Sequence, residues 1–114
     1  MSFALQAGER WRHDVRSATR LPRSVQRDGL EMLQISLPEG EVAYFFRGQE
    51  IWRRTSGSRC IRFLEHVKNS RMILDRENGV PSCRWELELM SHRPSATLKP
   101  LFSFQAVSNL IPKP

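Results

Sequence analysis

Residues 30–55 read LEMLQISLPEGEVAYFFRGQEIWRRT, and the two-residue period of this stretch decides the fold. Leu33, Ile35 and Leu37 alternate with polar neighbours, as one half-buried face of a strand does. Pro38-Glu39-Gly40 is a short turn, after which Val42, Tyr44 and Phe46 resume the alternation. Gly48 falls in a second turn, and Glu50 to Thr55 forms a third strand around Ile51 and Trp52. Turns this short leave no room for a crossover, so the strands run antiparallel.

The same period continues toward the C-terminus. A strand over 60–67 places Ile61, Phe63 and Val67 on one face; another over 71–75 is centred on Met72 and Ile73 and is closed by the turn Glu77-Asn78-Gly79. Residues 82–90 form the longest strand, with Trp85, Leu87 and Leu89 facing one way. An irregular stretch with two prolines runs from His92 to Pro100, a last strand covers 101–107, and the tail carries Pro112 and Pro114. Upstream, Asp28-Gly29 is a further turn signal.

Before it the period is 3.6. Residues 3–20 read as a helix in which Ala4, Ala7, Trp11, Val15 and Ala18 fall within an arc of roughly 80°. One large anchor among small residues suits a helix lying close on a sheet, with Trp11, Val15 and Ala18 making the contact. Gly8 costs about 1 kcal/mol relative to Ala there and softens the first turns; Arg10 and Asp14 form an i,i+4 pair. Leu21-Pro22 ends the helix, because proline lacks the donor and pushes its predecessor out of the α region. Closely spaced hairpin turns with no second helical pattern predict a single α+β domain over 1–114, an N-terminal amphipathic helix packed on one antiparallel meander sheet.

The chain has 114 residues, 39% of them hydrophobic and 26% charged, with a formal charge of +6 and a sequence pI near 10.3. Only Lys68, Lys99 and Lys113 of its 18 basic residues are lysines. No dense basic block occurs, so the charge fits a solvated surface as well as an anionic partner. Its longest wholly apolar run, Val42 to Phe46, is far shorter than the roughly 20 residues of a membrane helix, and no signal peptide is visible.

Catalytic and cofactor patterns are lacking in the sequence. His13, His66 and His92 are far apart, with no partner at metal-ligand spacing. No serine lies in a GxSxG elbow, the six glycines are isolated from one another, and residues 75–79 lack the register of a calcium loop. The expectation is a non-enzymatic protein without cofactor or metal. Cys60 and Cys83 admit two readings, one disulfide closing a loop of about 24 residues or two free thiols. Arg12, Arg16 and Arg20 make an i,i+4 column beside the helix's apolar stripe, either solvated or matched by an external anion. Phe45-Phe46-Arg47 and Trp52-Arg53-Arg54 mix aromatics with arginine, which makes a basic nucleic-acid-binding module the alternative function.

The helix end carries a further pattern. Trp11, Asp14, Val15 and Ala18 supply an aromatic, an Asp followed by an apolar residue, and a small residue, in the spacing F-x-x-D-V-x-x-A. A strand from Leu30 to Leu37 follows, then the V-x-Y-x-F strand of Val42, Tyr44 and Phe46, then a strand ending in arginine at Arg53-Arg54. Over residues 9–54 this resembles the type IV pilin-like proteins, and more narrowly the minor pseudopilins of type II secretion systems. The resemblance implies a pilin-like head domain that acts through contacts with other pilin or pseudopilin subunits. It would lie in the periplasm or on the extracellular face, anchored in the inner membrane by an N-terminal helix. The peptidase site and the roughly 20 apolar residues that define the family are absent from this chain. On this reading the chain is therefore a head without its anchor, and Arg12, Arg16 and Arg20 are available to neighbours.

Overall fold

The structure is a computed structural model that describes residues 3–57, 59–77, 79–90 and 101–107. Its elements are α1 (Phe3–Arg16), β1 (Arg23–Arg27), β2 (Leu30–Leu37), β3 (Gly40–Arg47), β4 (Glu50–Thr55), β5 (Cys60–Leu64), β6 (Val67–Glu77), β7 (Val80–Leu89) and β8 (Leu101–Val107). The expected stretch from His92 to Pro100, the tail with Pro112 and Pro114, and Asn78 of the β6–β7 turn lie outside the described residues.

The local turn chemistry accounts for the hairpins. Asp28 and Gly29 both have positive φ, 55° and 78°, and Gly48 and Gln49 have 61° and 63°. Two consecutive residues in this region make the two-residue turn whose twist matches the flanking strands. Arg27 accordingly faces Leu30 and Arg47 faces Glu50 across closed hairpins.

The strands do not form one meander. They divide into a five-stranded sheet in the order β1-β2-β3-β4-β5 and a three-stranded sheet in the order β6-β7-β8. Strand makes up 64% of the structure, against one short helix. The expected α+β, pilin-like fold with a single sheet beneath a helix is therefore corrected to a β-rich small domain of two antiparallel sheets. The break lies inside the strand expected over 60–67. His66 adopts a positive φ of 60°, a conformation that a residue with a Cβ enters at a cost. The corner is held by the neighbouring backbone: Val67 N donates to Gln49 O at 2.9 Å and Met90 N to His66 O at 2.9 Å. The chain leaves the first sheet there and starts the second.

Other bounds differ from expectation, among them β6, which runs over Val67–Glu77 rather than 71–75. The helix ends at Arg16 rather than at residue 20. Thr19 N donates to Ser36 O at 2.7 Å, which draws the chain onto the sheet before another helical turn can form. β1, sequence RSVQR, has a single apolar residue and so gives no alternation to read; pairing with β2 across the Asp28-Gly29 turn makes it a strand.

A continuous core lies between α1 and the two sheets, formed by Ala4, Ala7, Trp11, Val15 and Ala18 with Leu33, Ile35, Tyr44, Ile51, Val67, Trp85, Leu87, Phe104 and others. Its centre is aromatic. Trp85 lies 5.8 Å from Trp11, 6.3 Å from Phe63 and 5.5 Å from Phe104, centroid to centroid, and Phe63 meets Tyr44 edge-on at 5.2 Å. Such offset and edge contacts are favoured beyond the area they bury. Trp85 donates its Nε1–H to Ser70 Oγ at 2.9 Å, whereas the buried Nε1–H of Trp11 beside it meets no acceptor among the described residues.

Gly8 acquires a reason that helix propensity does not supply. A Cβ at this position would collide with the Phe104 ring, which lies against the helix backbone and under the Arg12 guanidinium, 5.4 Å from it. Gly8→Ala gains about 1 kcal/mol of helix propensity, yet overpacking costs typically 1–3 kcal/mol or more. The expected outcome is a net loss of about 1–2 kcal/mol in urea-unfolding stability, largely recovered in the Gly8→Ala/Phe104→Leu double variant. A stabilised Gly8→Ala protein would contradict this contact.

Candidate functional site

The polar feature the fold builds most carefully is internal. Asp14 projects from α1 into the core and is 1% exposed. Its Oδ2 accepts a hydrogen bond from the Tyr44 hydroxyl at 2.5 Å and one from Arg53 Nε at 3.0 Å. Arg53 is itself only 7% exposed, and its guanidinium lies 6.0 Å from the Tyr44 ring centroid. Arg10 Nε, at the surface, approaches the other carboxylate oxygen at 3.7 Å. Tyr44 and Arg53 are directly opposed across β3 and β4 and so share one sheet face.

The electrostatics of this cluster run one way. Burial, and then the Asp14 charge and hydrogen bond, push the Tyr44 phenol far above its ordinary 10.0, so the hydroxyl stays a donor. For Arg53 burial acts to lower the pKa, but the bond to Asp14 and the charges around it outweigh that and raise it. The result is a buried carboxylate–guanidinium–phenol lock between the helix and the larger sheet.

Trp11 and Val15 are wholly buried and Ala18 nearly so. Trp11, Val15 and Asp14 form the inward side of the helix, and Ala18 follows just beyond its end. The arginine column is not a column: with the helix ending at Arg16, Arg20 lies beyond it, and Arg12 is engaged with Glu9 at 2.5 Å and with the Phe104 ring. Arg16 and Arg20 are exposed. Cys60, exposed on β5, and Cys83, buried on β7, stand in different sheets as free thiols; burial pushes the Cys83 thiol up to about 11. The two Arg/aromatic segments are divided by the pleat. Arg53 enters the lock, whereas Phe45 and Trp52 oppose each other on the other face of the sheet, in line with Val25, Met32 and Arg62, and Phe45 and Met32 are buried there. Among the described residues, no three His, Cys, Asp or Glu side chains converge as a metal site would require, and no helix is long and apolar enough to cross a membrane.

The lock could have been found from sequence by phase. At 100° per residue Asp14 falls about 60° from Trp11, at the margin of the apolar stripe. Arg53 stands two residues after Ile51, in phase with an inward position. Each alone reads as a surface charge; only their joint inward phase signals a buried pair. Compared with protein families, curated proteins and solved structures, the chain shows no significant match to any of them.

Two outcomes follow from this geometry. Asp14→Ala leaves Arg53 buried without its carboxylate and should cost about 3–5 kcal/mol in urea unfolding. Arg53→Met on that background should recover much of the loss, and a loss under about 1 kcal/mol for Asp14→Ala would contradict the lock. Tyr44 is the only tyrosine of the chain, so its ultraviolet titration is unambiguous. Its folded pKa and that of Cys83 are both raised, so the folded state keeps protons that the unfolded chain releases. Stability is then full below about pH 9 and falls as pH rises, first through the Cys83 window from 9.0 to about 11 and additionally from Tyr44 above 10. Tyrosinate absorbance should appear only together with unfolding; phenol ionisation in the folded protein would overturn the assignment.

Proposed function

We propose that the chain is a non-catalytic assembly subunit of a pilus or type II secretion pseudopilus, working through contacts with other subunits. The observation that carries this reading is where the helix-end pattern goes. Trp11, Asp14, Val15 and Ala18, the residues of the resemblance, all turn inward, and Asp14 is joined to Tyr44 and Arg53 on the strands that continue the pattern. A helix fixed so firmly at its C-terminal half is suited to carry a domain as a rigid head. At the other end of the same helix Phe3 is 79% and Leu5 49% exposed, apolar surface of the kind that marks a contact region. The two-sheet architecture is no support for this reading, which rests on the motif and the lock.

On this reading the head lies on the periplasmic or extracellular side, the partners are pilin or pseudopilin subunits, and the anchor is an apolar helix upstream of α1. The test is the reading frame upstream of Met1. About 20 apolar residues behind a prepilin peptidase site are expected there, and membrane fractionation of the full-length product should release this domain only after proteolysis. A native stop codon immediately upstream, without an apolar segment, overturns the proposal.

A further inference from the structure

Among the described residues the two sheets have four edge strands: β1 and β5 in the larger, β6 and β8 in the smaller. An edge presents unpaired backbone donors and acceptors, and proteins blunt such edges with charge to stop strands from adding to them. Three of the four follow that rule. β1 carries Arg23 and Arg27, β5 carries Arg62, and β6 carries Lys68, Arg71, Asp75 and Arg76. β8, sequence LFSFQAV, has no charged residue and no proline over its whole length. Among the described residues, no strand pairs with its outer edge.

We infer that β8 is a self-association edge, on which β8 of a second copy of this chain pairs antiparallel to form a continuous six-stranded sheet. The register supplies the occupant. With Phe104 on the two-fold axis, Leu101 falls opposite Val107 of the other copy, Phe102 opposite Ala106, and Ser103 opposite Gln105. Every pair is uncharged. The bulky Phe102 meets the smallest side chain of the strand. Leu101 and Val107, 61% and 41% exposed on the outer face, come together at both ends of the contact. The same operation on β1 would place Arg23 against Arg27 of the other copy, a like-charge pair that opposes association. On the inner face Arg12 sits over Phe104 and is already joined to Glu9, so the cations that the axis brings near each other arrive neutralised. This inference concerns self-association alone and stands whether or not the protein belongs to a pilus.

The measurement is sedimentation equilibrium of the chain from about 10 µM to about 1 mM, a range that detects weak dimers. The mass should climb from 13.3 kDa toward twice that value as concentration rises. The double variant Ser103→Lys/Gln105→Lys opposes lysine to lysine at two places and should raise the dimer Kd by about tenfold or more. Leu101→Lys, a change at an exposed position, should act in the same direction, with circular dichroism confirming that each variant is folded. Arg23→Glu on β1 should leave the dimer unchanged. A parent chain that stays monomeric throughout, folded β8 variants that associate as tightly as the parent, or a dimer altered by Arg23→Glu would each overturn the inference.

Discussion

The bond between Asp14 of α1 and Arg53 of β4, with the Tyr44 hydroxyl on the same oxygen, is the constraint around which the rest of the domain is arranged. The apolar stripe of the helix is narrow and, apart from Trp11 and Val15, made of alanine. Small side chains allow close approach but define no unique sliding position along a sheet. A buried carboxylate does, because leaving it unmet costs several kcal/mol whereas a shift of an alanine costs little. The lock therefore contributes orientation more than net stability, since apolar replacement of a whole buried pair is often neutral. It sets which residues of the helix point inward and at what height they meet the strands.

Once the helix is seated, its other side chains acquire their neighbours. Trp11 reaches Trp85 of the second sheet, and Gly8 lets Phe104 lie against the helix backbone. The helix thus bridges both sheets: polar contact joins it to the larger, aromatic contact to the smaller. The His66 corner makes this possible by turning the chain out of the first sheet. A single meander would have placed Trp85 and Phe104 on an extension of the same surface, out of reach of a helix of fourteen residues. With two sheets, one short helix can close the core.

The surface carries the complementary lesson. The polar groups most strongly perturbed, Tyr44 and Arg53, belong to the lock, where burial and the Asp14 contact account for the perturbation. What faces outward is a set of strand edges, most of them guarded by charge, together with exposed apolar residues at the helix N-terminus and along β8.

The residue pattern by itself determined the antiparallel hairpins from β2 to β4, the inward residues Leu33, Ile35, Val42 and Tyr44, and the amphipathic helix; that Ile51 and not Trp52 faces the core came from the structure. These depend on local turn chemistry and on side-chain period, which act over a few residues. It did not reveal β1, whose polar sequence becomes a strand only through pairing with β2, nor the helix end, which Ser36 sets through a bond to Thr19. The helix, whose sequence shows a single apolar stripe suited to one sheet, is in the structure a bridge pinned by a charge. Only the tertiary structure decided the division into two sheets and the meeting of Asp14 with Tyr44 and Arg53. Both join residues tens of positions apart, and in either segment alone a charged side chain has water as an equally good partner.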